Sequence, residues 1–251
     1  MKYWQVTAYR EESRHELELF DEDWNRALVL MAHPDDPEYG TALAVNRWTG
    51  QGKEVSYVLA TSGEAGIEGI APAQSGPLRE AEQQRAIGHV GVQNLEFLGM
   101  PDGRLEYGLQ MRRKFAQKIR AYRPDVVITL NFDRAFGGVN RNSADHQAVG
   151  RAVLDSVSDA ANSWIFPDLE EPVWTGVRMI AVFADESPTH YVPVGEADIT
   201  AAIAALSEHR EYLTRLSEDP IEEQARAQVV DRVLGGIDPA AGGEVAFRVY
   251  N

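Results

Sequence analysis

Short runs of apolar residues recur along the chain, and a polar segment with turn residues follows each of them. Runs of this length that stay apolar at consecutive positions are typical of β-strands buried on both faces of a sheet. The sequence predicts five such strands, at 27–32 (ALVLMA), 55–61 (VSYVLAT), 95–100 (LEFLGM), 126–131 (VVITLN) and 177–184 (VRMIAVFA).

The segments between these runs place apolar residues at helical spacing. The clearest case is Leu109–Tyr122, where Met111, Phe115, Ile119 and Tyr122 form one apolar stripe. The other predicted elements are helices at 41–49, at 78–90 after a glycine-rich loop over 62–77, from Ala144, over 199–216 and at 221–234, and an edge strand at 245–250.

Strands that alternate with amphipathic helices are typical of βαβ units. The sequence therefore predicts an α/β protein with a single-domain, Rossmann-like three-layer fold, in which helices flank a mostly parallel sheet. We expect this domain to span 27–251 and residues 1–26 to form a polar N-terminal extension with a short strand near Tyr3–Tyr9. In such sheets the ligand lies at the carboxyl ends of the strands.

The composition of the chain limits which partners and which metal ligands are available. The 251 residues include 24 basic and 39 acidic side chains, for a net charge of −15, which argues against a nucleic-acid partner. There is no cysteine, so any metal must be held by His, Asp or Glu. No apolar run approaches the ~18 residues of a membrane span, and we expect a cytoplasmic protein. A homo-oligomer is left open.

The segment AHPDDPE (32–38) places one imidazole and two adjacent carboxylates directly after a predicted buried strand. His33 and Asp36, three residues apart on a tight loop, can converge on one cation, and Asp35 can then face a metal-bound water. Histidine nitrogen with carboxylate oxygen suits Zn²⁺ or another divalent transition metal. The alternative is a polar turn that caps the next helix.

A third ligand is available in His146, which follows Asp145 in the first turn of the helix predicted from Ala144. The preceding strand, VVITLN, belongs to the same sheet, so we expect His146 at the same edge as His33. The alternative is a solvated histidine at a helix start, with Asp145 complementing the helix dipole.

Together these segments resemble the LmbE/PIG-L family of zinc-dependent N-deacetylases, whose hallmarks are AHPDDE after the first strand and HPDH about a hundred residues later. The resemblance spans about 27–216. The further matching segments are TSGEAG, LREAEQQRAIGHVGVQNLEFLGMPDGRL, ADHQAVG, PTHYVPV and IAALSEHREYL.

The resemblance implies a role for each matching residue. His33, Asp36 and His146 would bind zinc, and Asp35 would be the general base. The resemblance also implies that Arg79 and Asp102 bind substrate. The alternatives are a salt bridge for Arg79 and a purely structural turn for Asp102.

One position departs from the family pattern. Where the family has the first His of HPDH, this chain has Ser143, which suits a helix N-cap. The family's histidine is associated with the oxyanion or with protonation of the leaving amine. We expect His190, in the segment PTHY after the fifth strand, to take this catalytic role.

The resemblance therefore implies a zinc-dependent hydrolase that removes an N-acyl group, most simply acetyl, from a small-molecule amino sugar or related conjugate. Two alternatives stay open. One is an amidase that acts on mycothiol-type conjugates. The other is a metal-binding family member without turnover, because Ser143 replaces the usual histidine.

Overall fold

The apolar runs form the strands of one sheet in the protein, which a computed structural model describes at residues 17–136 and 140–251. Within these residues the sheet has eight strands, and a separate pair is formed by β6 (Ala135–Phe136) and β7 (Asn140–Arg141). The strands of the sheet are β1 (Glu18–Leu19), β2 (Arg26–Met31), β3 (Glu54–Leu59), β4 (Asn94–Phe97), β5 (Val126–Leu130), β8 (Met179–Phe183), β9 (His190–Val194) and β10 (Gly243–Tyr250).

The helices follow the predicted order, with differences at their ends. The second helix begins at Pro72 and not at residue 78, since proline is well suited to the first helical position. The helix predicted over 199–216 is two helices that meet at His209. The helices are α1 (Thr41–Gly50), α2 (Pro72–His89), α3 (Leu109–Tyr122), α4 (Ala144–Ala161), α5 (Glu196–Ser207), α6 (Arg210–Leu216) and α7 (Ile221–Arg226), which continues as a π-helix (Ala227–Val233), and a 3₁₀ turn spans Pro239–Ala241.

The strand order is β1-β9-β10-β8-β5-β2-β3-β4. Every pair in this sheet is parallel except those made by β10, which runs antiparallel to both β9 and β8. The prediction that 245–250 forms an edge strand is therefore wrong, because β10 lies inside the sheet. His190, in the segment that follows the fifth predicted strand, is the first residue of β9.

Helices cover both faces of the sheet, which confirms the predicted three-layer α/β fold. The side chains of β2 alternate between the two layers. Val29 and Met31 belong to a core that includes residues of α1, α2 and α5, and Leu28 and Leu30 belong to a second core with residues of α3 and α4. All four are fully buried, as expected for a strand in the middle of a parallel sheet.

Part of the predicted N-terminal extension packs on this unit, since Phe20 and Trp24 are buried in the first core. The strand predicted near Tyr3–Tyr9 lies outside the described residues. Across 17–136 and 140–251, no helix has the length and apolarity needed to cross a membrane. The cytoplasmic location stays a prediction.

The sheet order determines where functional residues can meet. β2 and β5 are neighbours near the middle of the sheet and run parallel. The loop after β2 begins at Ala32, and the loop after β5 leads into α4. The polar residues of both loops therefore lie at the same edge of the sheet.

Candidate metal centre and active-site cavity

Three side chains from the loops after β2 and β5 converge. His33 Nδ1 lies 3.1 Å from His146 Nε2. An oxygen of Asp36 lies 3.1 Å from the same His146 nitrogen, and the other lies 3.6 Å from His33 Nδ1. The Asp36 carboxylate is held in this direction because it also accepts hydrogen bonds from the main-chain N–H groups of Ala32 and His33.

The hydrogen bonds of Asn142 indicate which nitrogen of His146 carries the proton. The Asn142 amide nitrogen donates to the carbonyl oxygens of Asn131 and Asp133, which fixes the orientation of the amide. Its oxygen accepts from Ser143 N–H and lies 3.2 Å from His146 Nδ1. Because an amide oxygen only accepts, Nδ1 is the protonated nitrogen, and Nε2 presents a lone pair to Asp36 and His33.

His33 is oriented in the same way by carboxylates. Its Nε2 lies 3.1 Å from Asp102 Oδ1 and 3.1 Å from Asp145 Oδ2. Asp145 is itself fixed by the main-chain N–H groups of Gly103 and Leu105. With its proton on Nε2, a neutral His33 directs the Nδ1 lone pair toward His146 and Asp36. Such outer partners are characteristic of histidines that bind metals.

This donor set fits a divalent transition metal. Two ligands about 2.0–2.1 Å from a tetrahedral zinc ion lie about 3.3–3.4 Å apart. The separations among His33, His146 and Asp36, 3.1, 3.1 and 3.6 Å, are close to that spacing. Two histidine nitrogens and a carboxylate oxygen at these distances are arranged as the ligands of one cation would be. His33, Asp102 and Asp145 also cluster, but their contacts are the hydrogen bonds that orient His33.

The charges of the site favour a cation as well. Burial alone lowers the pKa of His33, but the negative charge of Asp36 and the hydrogen bonds to Asp102 and Asp145 outweigh it and raise the pKa well above its ordinary value. Burial lowers the pKa of His146, which keeps that ring neutral. A neutral imidazole is the form that binds metals, so a metal at this site would displace the proton that His33 carries in its absence.

Asp35 is adjacent to Asp36 in the sequence but is not part of this cluster. Its backbone has φ of 89°, in a region that non-glycine residues rarely occupy, at a cost of about 1–3 kcal/mol. This conformation lets two consecutive carboxylates take different directions. Asp35 Oδ1 lies 3.1 Å from Arg79 Nη2.

The environment of Asp35 suits proton transfer near neutral pH. Burial raises the pKa of Asp35, the Arg79 guanidinium opposes this, and the result is about 7. A general base works best when its pKa is near the operating pH.

Arg79 is held in a fixed position. Its guanidinium donates to the carbonyl oxygens of Pro34 (2.6 Å) and Gly63 (3.2 Å) and lies 4.3 Å from the Tyr212 ring centroid. A Cβ at Gly63 or Gly66 would lie 2.3 or 2.4 Å from Arg79 Nη1, so both glycines are needed for the close approach.

A cavity of about 250 Å³ opens beside these residues. Its β3/β4 side is polar and includes Arg79 and Asp102, whereas its β5/β8 side is apolar and includes Leu130 and Phe183. The lining residues are His33, Asp35, Asp36, Tyr39, Ala65, Gly66, Arg79, Asp102, Gly103, Leu130, Asn131, Ser143, Ala144, Asp145, His146, Phe183, Ala184 and Tyr212.

Ser143 caps α4, as its sequence position suggests. Its hydroxyl oxygen accepts the His146 main-chain N–H at 3.0 Å. Ser143 thus supports the same helix turn that presents His146, and it also lines the cavity.

The structure does not bring His190 to this site, and we correct the sequence-based expectation accordingly. β10 separates β9 from β8, so His190 lies two strands from Phe183. The His190 ring packs against Phe20, and its Nε2 lies 3.8 Å from Glu18. His190 is not among the residues that line the cavity.

Sequence reasoning did not identify two residues that orient other residues of the site. Asp145 was considered only for the helix dipole, although its carboxylate contacts His33. The turn PDGRL supplies the N–H groups that fix Asp145, and nothing local in the sequence connects the two. Gln83, fully buried on α2, accepts the Asp35 main-chain N–H at 2.9 Å.

Comparison with known proteins agrees with this geometry. Residues 28–157 match the PIG-L family model, described as GlcNAc-PI de-N-acetylase. A 1D-myo-inositol 2-acetamido-2-deoxy-alpha-D-glucopyranoside deacetylase 2 from Saccharopolyspora erythraea is 28% identical over 171 residues, which span 58% of this chain and about three fifths (61%) of that protein. The corresponding deacetylase of Streptomyces avermitilis is 26% identical over 253 residues, covering 90% of this chain and 81% of its own.

Among solved structures, the fold is similar to that of the N,N'-diacetylchitobiose deacetylase from Pyrococcus horikoshii. The TM-score is 0.75 at 20% identity, and the match covers 91% of this chain and 85% of the other. The family match covers more than half of the residues and includes His33, Asp36 and His146. The chain belongs to the PIG-L family.

Proposed function

We propose that this protein is a zinc-dependent N-deacetylase that removes the acetyl group from an N-acetylated amino sugar or amino-sugar conjugate. The observation that carries the proposal is the convergence of His33 Nδ1, His146 Nε2 and the Asp36 carboxylate at 3.1–3.6 Å, with Asp35 beside them at the cavity wall.

His33, Asp36 and His146 would hold the ion. When bound, zinc supplies Lewis acidity, which polarises an amide carbonyl and makes water more acidic. Asn142, Asp102 and Asp145 keep the two imidazole rings in the orientation that metal binding requires. The chain has no cysteine, so harder or borderline divalent metals are favoured over soft ones.

We assign the proton transfers to Asp35. A carboxylate with a pKa of about 7 accepts a proton from the attacking water and can return it to the departing amine. Arg79 keeps the Asp35 carboxylate in place through the 3.1 Å contact. This assignment removes the need for a histidine at position 143, and it replaces the role first expected of His190.

The two sides of the cavity support an orientation for the substrate. Arg79 and Asp102, on the β3/β4 side, offer charge and hydrogen-bonding groups to sugar hydroxyls. Leu130 and Phe183, on the β5/β8 side, offer an apolar surface to the methyl group of an acetamide. The metal ligands lie between the two sides, where the scissile amide would be.

The names of the two bacterial relatives support an amino-sugar substrate, since both describe deacetylases of a 2-acetamido-2-deoxy-glucopyranoside. Hydrolysis should be measured on a panel of N-acetylated glucosamine conjugates, with release of free amine as the readout. Asp35→Asn, which keeps the size of the side chain, is the matched inactive control.

Turnover by the native protein and its loss in Asp35→Asn would support the proposal. A zinc-loaded protein without turnover on any amide in the panel would favour a metal-binding role, for which the replacement of histidine by Ser143 is the supporting observation. Activity restricted to thiol conjugates would favour the amidase alternative.

A further inference from the structure

Beneath Asp35 lies a closed ring of hydrogen bonds that the proposed reaction does not explain. The Asp35 main-chain N–H donates to Gln83 Oε1 at 2.9 Å. The Gln83 amide nitrogen donates to Glu38 Oε1 at 2.9 Å, and the Glu38 main-chain N–H donates to the Asp35 carbonyl oxygen at 2.8 Å. One side chain on α2 thus binds both ends of the Asp35–Glu38 turn. We call these three residues the Gln83 clamp.

The clamp is fully enclosed. Gln83 and Glu38 have 0% exposure, and Asp35 has 5%. Behind Glu38, the second carboxyl oxygen lies 3.4 Å from Nε2 of His209, which is also 0% exposed. Because these groups are enclosed, a polar group here that loses its hydrogen bond is left unsatisfied, which costs free energy of folding.

An amide is the group that this position requires. Asp35 offers an N–H and needs an acceptor, whereas the Glu38 carboxyl oxygen needs a donor. Glutamine supplies both from one planar group at a fixed separation. An apolar side chain can make neither bond.

We propose that Gln83 is a positioning residue for Asp35. Resting on the proposed deacetylase function, this inference adds that the clamp holds the backbone of Asp35 at φ of 89° and so places its carboxylate at the cavity wall beside Arg79. Strained backbone conformations persist only where the surroundings determine them, and the clamp supplies three of the hydrogen bonds of this turn.

The test compares Gln83→Met with Gln84→Met. Methionine has nearly the length of glutamine but neither donates nor accepts as the amide does. Gln84 is the next residue on α2 and is exposed, so it provides a matched control. For each purified variant, kcat, KM, zinc content and the folded fraction are measured.

For Gln83→Met we expect kcat per folded, zinc-loaded molecule to fall about 10- to 100-fold, as small misplacements of a reacting group do. KM should change by less than about threefold, because Gln83 does not line the cavity. Gln84→Met should match the native protein. A purely structural role would lower the folded fraction and leave kcat per folded molecule unchanged.

If Gln83→Met does not fold, Gln83→Asn replaces it. Asparagine keeps the amide on a side chain that is one carbon shorter, so it cannot reach both Asp35 and Glu38, and kcat should fall about 10-fold relative to Gln84→Asn. Equal kcat in the Gln83 and Gln84 variants would overturn the inference.

A crystal structure separates this inference from the proposed function. If the native protein has no deacetylase activity, the proposed function fails, and the conformation of Asp35 in Gln83→Met or Gln83→Asn still decides the role of Gln83. Departure of Asp35 from positive φ supports the clamp. An unchanged Asp35 with its contact to Arg79 intact overturns it.

Discussion

Gly66→Ala should lower activity because it displaces the Arg79 guanidinium, while the proposed metal ligands stay in place. The added Cβ would lie 2.4 Å from Arg79 Nη1, and an ordinary contact is at least 3.4 Å, so the guanidinium must move by about 1 Å. Such a shift would disturb the contacts of Arg79 with Pro34 O (2.6 Å) and Asp35 Oδ1 (3.1 Å). A misplacement of about 1 Å can lower a rate by about 100-fold.

The φ angle of Gly66 lies outside the left-handed region, so alanine is not strained there, and the added Cβ would lie 3.2 Å from the Gly63 carbonyl oxygen, which has to shift by only a few tenths of an ångström. The assay is kcat/KM for release of free amine, with zinc content measured on the same samples. We expect kcat/KM to fall about 10- to 100-fold while zinc content stays at the native value. Gly88→Ala is the control, since Gly88 is an exposed residue of α2 whose added Cβ would meet nothing within 4 Å.

A double-mutant cycle tests the route of the effect. If Gly66→Ala acts through the guanidinium, it should change kcat/KM by less than about twofold in an Arg79→Ala background. Native kcat/KM in Gly66→Ala, or a full additional loss in the Arg79→Ala background, would refute the reasoning.

Four other predictions follow from the structure. Asp35→Asn should retain zinc and lose turnover by about 10²–10⁴-fold, as measured by amine release and elemental analysis; loss of zinc would make Asp35 a ligand. Ser143→Ala should lower the free energy of unfolding by about 0.5–2 kcal/mol, because α4 loses its N-cap. His190→Ala should leave kcat unchanged. A large fall in kcat would contradict the capping role of Ser143 or the position of His190 outside the site. Burial lowers the pKa of His209 from 6.5 to about 4, so between these pH values the unfolded chain binds a proton that the folded chain does not. The free energy of unfolding should therefore fall by about 3 kcal/mol as pH decreases from 6.5 to about 4. His209→Gln should remove this loss, as measured by urea titrations.

The three proposed metal ligands could be predicted from the sequence because their positions depend on local order and on one rule of sheet geometry. His33 and Asp36 follow a strand that is recognisable by its continuous apolar residues, and His146 follows another. In a parallel sheet the carboxyl ends of neighbouring strands meet at one edge, and β2 and β5 are neighbours.

His190 could not be placed in this way. Its segment follows β8 in the sequence, which suggested the same edge of the sheet and the same cavity. The antiparallel β10, from the far end of the chain, inserts between β8 and β9 and moves His190 two strands away. Insertion of a distant strand leaves no signal in the local pattern.

The residues that orient the site were hidden for a related reason. Asp145 is oriented by N–H groups of a turn about 40 residues earlier, and Gln83 binds a loop 48 residues before it. Each is a polar residue on a helix, where the sequence pattern alone favours exposure. Their burial follows from tertiary packing, and only the structure shows their partners.

Metal analysis of the purified protein tests the central claim most directly. After exposure to zinc and removal of the excess, the native protein should hold about one ion per chain. The amount of zinc bound by His146→Ala should be much lower, because that variant loses one of three protein ligands. Ser143→Ala, which keeps all three ligands, should bind zinc like the native protein. A native protein that holds no metal, or full occupancy in His146→Ala, would contradict the account.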